Sequence, residues 1–300
     1  MEDKESTNNQ NNICFIDSHC HLQDYSSEDL DIILKQCSNN NIKIFYSNCT
    51  CESDFQKNLD ISQNQEILKR NDIKKIIYGI GYHPWSLNYP LNNKEKWFEE
   101  FKEYVNEKLI KKNIKFFIGE IGIDGGKIKK TFPLNEQIEI FEKQLSYAND
   151  NNLLVHIHCV YEWDKLYKIM SNMNLDNLIK NKKILLHSFQ GKTKHINKFN
   201  NLNVYYSISS GCFTPGNYEM LKNLPLDKIL FESDSPSMFN KAVYDDEKNY
   251  SHFYSENKKN NSPESIKYLC AKLAQLRNMK FEGLAKNVYN NSLEIEKEFI

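Results

Sequence analysis

An alternation of short apolar runs with segments of helical periodicity constrains the fold of this chain more than any other feature. The eight apolar runs, predicted as strands, are Ile13–Ile16, Ile42–Tyr46, Ile76–Gly81, Phe116–Ile121, Leu153–Ile157, Ile184–Leu186, Val204–Ile208 and Ile229–Phe231. The clearest helical segments between them are Ser27–Asn39, Cys51–Lys69, Trp97–Leu109, Asn135–Asn149 and Trp163–Met170. Strands that alternate with helices need right-handed crossovers and lie parallel in one sheet. Eight such units predict an α/β fold, a single (β/α)8 TIM barrel with its active site at the carboxyl ends of the strands.

A doubly wound open sheet is the competing fold, and the residues after the first strand argue against it. Such a sheet usually has a glycine-rich turn at that point, whereas here Asp17, Ser18 and His19 follow Ile16. Residues 1–12 are polar and predict a flexible leader, so that residues 13–300 form the barrel domain. We expect Asn240–Ser262 to be a long eighth loop and the segments after Ser262, including 282–298, to form extra C-terminal helices.

Charge and cysteine content limit the possible partners. The net charge is -1 and the only arginines are Arg70 and Arg277, so there is no basic field to wrap duplex nucleic acid. The eight cysteines include no Cys-x-x-Cys pair, which indicates reduced thiols. No signal peptide or transmembrane run is evident. We therefore expect an intracellular protein, cytoplasmic or nuclear, with no membrane association and no obligate protein partner.

Asp17, His19 and His21 occupy alternate positions at the end of the first predicted strand. Alternate side chains of an extended backbone share a face. Two imidazoles and a carboxylate on one face form half of a site for a divalent cation, since these ligands suit zinc, manganese, iron or cobalt. Polar residues that merely cap a strand are the alternative, so this interpretation depends on ligands further along the chain.

Further candidate ligands follow the other predicted strands. They are His83 after the third, Glu120 at the fourth, His158 after the fifth, His187 after the sixth and Asp234 after the eighth. Five of the eight histidines thus lie at strand ends, which meet at one mouth in a barrel. Glu120 interrupts an apolar strand and would need a cation as a partner. We assign His156, His195 and His252, together with the cysteines, to the core.

Several motifs in order along nearly the whole chain resemble the TatD-like metal-dependent hydrolases of the amidohydrolase superfamily. The motifs are Asp17-Ser-His19-Cys-His21, Gly81-Tyr-His83-Pro84, Gly119-Glu120-Ile-Gly122-Ile-Asp124, His158, Leu186-His187-Ser-Phe189-Gln-Gly191 and Leu230-Phe-Glu232-Ser-Asp234-Ser-Pro236. The resemblance implies a TIM barrel and a deoxyribonuclease that uses two divalent metal ions, Mg, Mn or Zn. The metal ligands it implies are His19, His21, Glu120, His158, His187 and Asp234. It also implies that Glu120 bridges the ions and that His83 contacts the substrate, while Asp234 is placed to act as a general base.

The chain departs from that family at two positions. Many relatives have an arginine where this chain has Val160, and an aromatic residue where it has Gly125-Gly126. Lys127, Lys129 and Lys130 are possible substitutes for the phosphate-binding arginine. Trp85 and Tyr161 are candidates for stacking on a base.

These observations predict a metal-dependent hydrolase of ester bonds. The leading hypothesis is a deoxyribonuclease that removes nucleotides from single-stranded DNA or frayed ends, because a neutral chain neutralises few phosphates. One alternative is an amidohydrolase-type enzyme acting on a lactone or an amide, since a fold does not select a substrate. Another is a barrel that retains its metal and serves only as a binding protein.

Overall fold

Eight parallel strands pair in chain order, which confirms the predicted barrel. The computed structural model describes residues 13–181, 183–240, 243, 254–255, 258–259 and 261–299. The strands are β1 (Phe15–Cys20), β2 (Ile42–Asn48), β3 (Lys75–Ile80), β4 (Phe116–Asp124), β5 (Val155–Val160), β6 (Ile184–Leu186), β7 (Tyr205–Ile208) and β8 (Ile229–Phe231). The chain after β8 returns to β1, where the backbone N–H of Asp234 donates to the carbonyl of His19 at 2.9 Å. This contact closes the barrel at the mouth.

The outer layer is helical. Its helices are α1 (Ser27–Asn39), α2 (Glu52–Gln63), α3 (Gln65–Asn71), α4 (Asn88–Asn92), α5 (Trp97–Tyr104, extended by a π-helical turn at Val105–Ile110), α6 (Leu134–Asp150), α7 (Trp163–Asn172), α8 (Asp176–Lys180), α9 (Thr193–Phe199), α10 (Tyr218–Asn223), α11 (Ser265–Leu276) and α12 (Phe281–Glu296). The predicted first helix is confirmed with the same bounds, and α11 and α12 are the predicted C-terminal helices.

One predicted helix is divided in two. Asn64 interrupts the segment predicted as continuous because its backbone is extended, and its side chain accepts a hydrogen bond from the N–H of Ile67 at 3.0 Å. That contact makes Asn64 the N-cap of α3, which is the role in which asparagine is most favourable.

Four strands extend further toward the mouth than predicted. β1 continues through Cys20, β2 through Asn48, β4 through Asp124 and β5 through Val160. Polar residues end an apolar run in the sequence, yet several of them remain in the sheet here, where their side chains have polar partners, as Asp124 has in His158 and Ser18 in Ser207. Several candidate site residues therefore lie within strands, on the rigid part of the scaffold.

The apolar core has two parts. The larger part fills the space between the strands and the helices. The smaller part fills the lower barrel with residues such as Ile16 and Phe117, and Ile295 and Phe299 from the C-terminal segment pack against it from below. The amino-terminal end of the barrel is thus plugged, and the opposite end is left to carry the site.

Part of the predicted eighth loop is described. Tyr254–Ser255 (β9) and Lys258–Lys259 (β10) pair antiparallel. Residues 240, 243, 261 and 262 of that loop are also described; its other residues, including His252, and the predicted leader at residues 1–12 lie outside the described residues. Within the described ranges, no helix combines the length and apolar character needed to cross a membrane.

Candidate active site

Glu120 lies at the centre of the barrel mouth, with imidazoles on both sides of its carboxylate. Its Oε2 is 3.3 Å from Nε2 of His19 and 3.5 Å from Nε2 of His21. Its Oε1 is 2.8 Å from Nδ1 of His158 and 3.5 Å from Nε2 of His187. The side chain is 2% exposed. Each carboxylate oxygen therefore faces a different pair of predicted ligands.

Asp234 completes the cluster from the segment after β8. Its Oδ1 is 3.3 Å from Nε2 of His21, and its Oδ2 is 3.9 Å from Nε2 of His187. Its backbone is left-handed, with φ of 54°, a conformation that aspartate tolerates better than most residues. The structure thus brings together all six residues that the resemblance implies as metal ligands, from the ends of β1, β4, β5, β6 and β8.

Gly122 allows β4 and β5 to approach closely beside the cluster. A Cβ atom at this position would lie 2.0 Å from the carbonyl oxygen of His158, and φ is 154°. Only glycine fits such a contact. The close approach keeps His158 beside Glu120.

The contacts of the outward-facing nitrogens of three histidines indicate which nitrogen of each ring would bind a cation. Nδ1 of His21 is 2.9 Å from the carbonyl oxygen of Asn48, and Nε2 of His158 is 3.4 Å from Oδ2 of Asp124. Nδ1 of His187 is 2.9 Å from Oε1 of Glu232. Each outward nitrogen faces an acceptor, so the inward nitrogen, which lies 2.8 to 3.5 Å from an oxygen of Glu120, is the one that would bind a cation. This is the arrangement that metal-ligating histidines adopt.

His83 has the opposite arrangement. Its Nδ1 accepts a hydrogen bond from the backbone N–H of Trp85 at 3.1 Å, so its Nε2 carries the hydrogen. That Nε2 is 3.4 Å from Oε1 of Glu120. Burial lowers the pKa of His83 to about 4, so the side chain is neutral at pH 7. His83 is therefore a hydrogen-bond donor at the edge of the cluster.

The carboxylates give the cluster a negative character that suits a cation. Burial raises the pKa of Glu120, but the surrounding histidines outweigh it and hold that pKa well below its usual range. Burial opposes a charge on His187, yet Glu232 and the other carboxylates raise its pKa to about 10. Among the described residues, neither Glu120 nor Asp234 pairs with a lysine or an arginine. The donor set, imidazole nitrogen and carboxylate oxygen, fits one or two divalent cations.

Asp17 does not share this face, in contrast to the expectation from the sequence. Its carboxylate accepts hydrogen bonds from the backbone N–H of Ser233 at 2.9 Å and from the hydroxyl of Ser233 at 2.6 Å. The pairing of β1 with β2 is irregular between Asp17 and Cys20, so simple alternation fails there. Burial raises the pKa of Asp17 to about 7. Asp17 ties β1 to the segment after β8 and lies outside the cluster.

Most of the residues assigned to the core are buried. His156 is fully buried, with its ring centroid 4.1 Å from that of Phe117. His195 is buried on α9, 3.4 Å from Asp164. All eight cysteines are free; six are buried, but Cys14 is exposed and Cys51 is half-buried, so the assignment to the core is wrong for these two. His252 lies outside the described part of the chain.

Two supporting carboxylates, Asp124 and Glu232, were quoted within motifs but given no role by the sequence. Asp124 is 2% exposed and Glu232 is fully buried. Glu232 directly follows the apolar run of the eighth strand, and an acidic residue beside an apolar run is also what singled out Glu120. This pattern in the sequence indicates a buried carboxylate that needs a partner. Asp124 gives no such signal, because it precedes two glycines and looks like a turn residue.

Fold and donor set together define a metal-dependent hydrolase built on a (β/α)8 barrel. The chain belongs to the TatD-related DNase family, whose model matches residues 16–297.

Named relatives and a solved structure agree with this family. A putative deoxyribonuclease TATDN1 homolog of Enterocytozoon bieneusi is 28% identical over 59% of this chain, an alignment that spans 62% of that relative. Human deoxyribonuclease TATDN3 is 21% identical over 93% of both chains. The crystal structure of a TatD family hydrolase from Entamoeba histolytica matches with a TM-score of 0.75 at 20% identity, covering 94% of this chain and 98% of the other. The structural match supports the fold alone.

Proposed function

We propose that this protein hydrolyses phosphodiester bonds in DNA at a centre of two divalent cations, removing nucleotides from single-stranded or frayed ends. The observation that carries the proposal is the position of Glu120, whose two oxygens face different histidines. A carboxylate in that position suits two cations about 4 Å apart. The residues that would hold the cations are His19, His21, Glu120, His158, His187 and Asp234. Relatives named as deoxyribonucleases support DNA as the substrate.

The side chains of this protein have distinct roles in the proposed reaction. When bound, divalent cations supply Lewis acidity and lower the pKa of water toward 7. Asp234 would accept the proton of the attacking water, because His187 and His21 outweigh burial and hold the pKa of Asp234 below its usual value, which keeps it ionised. His83 would donate its Nε2 hydrogen to a phosphate oxygen, since that nitrogen carries the hydrogen at neutral pH.

The charges around the mouth favour short contacts with DNA ends. Both arginines have structural contacts: Arg70 pairs with Asp31, and Arg277 donates to the carbonyl of Leu221. Affinity for duplex DNA grows with the number of phosphates neutralised, and this chain has a net charge of -1. Lys127, Lys129 and Lys130 are exposed on a short turn directly after β4 and would contact a phosphate near the site.

A second candidate function is hydrolysis of a lactone or an amide. It is favoured by the absence of any arginine from the mouth among the described residues, since arginine is the usual bidentate ligand of a phosphate. Under this alternative the same metal ligands would serve a carbon-centred reaction.

A metal-titrated assay separates the two candidates. Purified protein is stripped with a chelator, reloaded with Mg, Mn or Zn, and incubated with end-labelled single-stranded DNA, blunt duplex DNA and a simple lactone. We expect cleavage of the single strand from one end, slower cleavage of the duplex and no lactone opening. Intact DNA together with an opened lactone would replace the nuclease proposal with the second candidate. Histidine-rich ligation favours Mn or Zn over Mg as the activating ion.

A further inference from the structure

Trp85 occupies an unusual position for an exposed aromatic residue. Its side chain is 58% exposed at the mouth, whereas Trp97 and Trp163 are 1% and 5% exposed. One edge of the indole nevertheless faces the site: the ring centroid is 5.4 Å from that of His83 and 6.3 Å from that of His158. The ring therefore has one edge against the histidines and a face open to solvent.

The indole N–H is engaged in a buried contact. It donates to Oδ2 of Asp124, a residue that is only 2% exposed. The same Oδ2 is 3.4 Å from Nε2 of His158, while the other oxygen of Asp124 accepts the N–H of Gly126 at 2.6 Å. A chain of contacts thus runs from Trp85 through Asp124 to His158, and from there to Glu120.

The contact chain sets the orientation of His158. With its Nε2 facing Asp124, His158 directs its Nδ1 at Oε1 of Glu120, 2.8 Å away, and Nδ1 is the nitrogen that would bind a cation. Carboxylates in this position fix the tautomer and orientation of a ligating histidine. Because the carboxylate of Asp124 is itself held by Trp85, a residue at the surface contributes to the geometry of the buried cluster.

Groups suited to a nucleic acid strand follow closely in the chain after Asp124, which Trp85 contacts, and after Val160, which pairs with Asp124. Tyr161, which is 83% exposed, directly follows Val160, and Val160 pairs with Asp124 in the barrel. The turn after Asp124 carries the exposed Lys127, Lys129 and Lys130. Aromatic faces bind unpaired bases of any identity, and neighbouring lysines bind the backbone. In a duplex those base faces are covered by stacking.

We propose that Trp85 has two roles: it positions His158 through Asp124, and its exposed face binds an unpaired nucleobase next to the reacting phosphate. The second role rests on the proposed function, and the first does not. Because Trp85 has both roles, the binding of a single strand to its exposed face would affect the geometry of the metal centre.

The positioning role is tested by metal affinity in a double-mutant cycle. Zn or Mn is titrated calorimetrically into stripped protein, and binding is compared for wild type, Trp85→Phe, Asp124→Ala and the double variant. Phenylalanine keeps a ring but lacks the N–H. We expect Trp85→Phe to bind the metal about 10-fold more weakly than wild type, near the lower end of the effect of losing a partner of a ligating histidine. In protein that already carries Asp124→Ala, adding Trp85→Phe should weaken metal binding by less than about 2-fold. An unchanged affinity in Trp85→Phe, or an equal loss in both backgrounds, overturns this role.

The control removes an exposed apolar side chain elsewhere. Ile110 is 50% exposed at the end of the π-helical turn before β4, on the opposite side of the barrel from the mouth. Ile110→Ala should bind the metal as wild type does. Circular dichroism confirms that every variant is folded, and a loss of metal binding in Ile110→Ala as well would overturn the specific assignment to Trp85.

The base-binding role is tested by fluorescence without metal. Trp85 is the exposed one of the three tryptophans, so acrylamide should quench mainly its emission. In the presence of a chelator, a single-stranded hexanucleotide should protect this emission, whereas an abasic strand and a blunt duplex should not. Trp85→Leu should bind the hexanucleotide about 10-fold more weakly, and Trp85→Phe should bind it nearly as wild type does. Equal protection by the abasic strand overturns base binding.

The results distinguish this inference from the proposed function. If the loaded protein cleaves no nucleic acid while the metal cycle behaves as expected, the nuclease proposal fails and the positioning role stands. If DNA is cleaved but the affinities of Trp85→Phe match those of wild type, the inference alone fails.

Discussion

The two halves of the ligand cluster are supported in different ways. On the side of β1 and β2, Nδ1 of His21 contacts the backbone carbonyl of Asn48. On the side of β4 to β6, His158 and His187 contact the side chains of Asp124 and Glu232. A backbone carbonyl cannot be removed by substitution, whereas a side-chain carboxylate can. The first half is therefore fixed by the fold itself, and the second half depends on a few outer residues that can change independently.

The largest expected effect comes from removing the group that the two halves share. Glu120→Gln keeps the volume of the side chain but removes the negative charge between the histidines. We expect activity to fall by more than about 1,000-fold, above the 10-fold to 100-fold typical of an outer partner. Metal content measured by mass spectrometry should fall from two ions to one or none. A variant that retains two ions would show that the halves do not depend on Glu120.

Asp234→Asn should have the next largest effect. The substitution keeps the shape of the side chain and removes its ability to accept a proton, so we expect turnover to fall by at least about 100-fold with most metal binding retained. Steady-state kinetics at saturating metal, together with a metal titration, measure both quantities. Unchanged turnover in the folded variant would assign Asp234 to ligation alone.

Glu232→Gln tests the dependence of the second half on side chains. The variant loses the carboxylate that faces Nδ1 of His187, and we expect the affinity for one of two ions to fall by about 10-fold to 100-fold. The ion proposed on the side of His21 should bind as before. Glu139→Gln, which alters a surface ion pair with Lys143, is the matched control and should affect neither ion. Equal weakening of both ions by Glu232→Gln would remove the distinction between the halves.

Val160→Arg should have the smallest effect. Val160 ends β5 at the mouth and is half-buried, so an arginine there would extend its guanidinium into solvent near the site. We expect binding of single-stranded DNA to tighten by about 1 kcal/mol, the upper value for an exposed ion pair. Fluorescence anisotropy in a chelator measures this gain, with Val160→Gln as a neutral variant of similar length. Equal affinities for the two variants would place the phosphate away from β5.

The sequence predicted the architecture because the signals for it are local. Apolar runs and helical periodicity identified all eight strands and their order, and the same strand-end positions identified Glu120 and the histidines around it. Boundaries were less accurate: β1, β4 and β5 all extend past their apolar runs, since pairing at the mouth satisfies the polar residues that follow. Asn64 likewise divided a helix that periodicity alone had predicted as continuous.

Residue order and type by themselves determined that this chain forms a barrel and that its histidines and acidic residues meet at one end, because each strand of a parallel barrel points the same way. Only the tertiary structure decided which of those residues share a face. The irregular pairing of β1 turns Asp17 away toward Ser233, and the contact of Trp85 with Asp124 joins the segment after β3 to the end of β4. Side-chain direction and hydrogen-bond partners depend on neighbours that are distant in the sequence, so periodicity and spacing do not encode them.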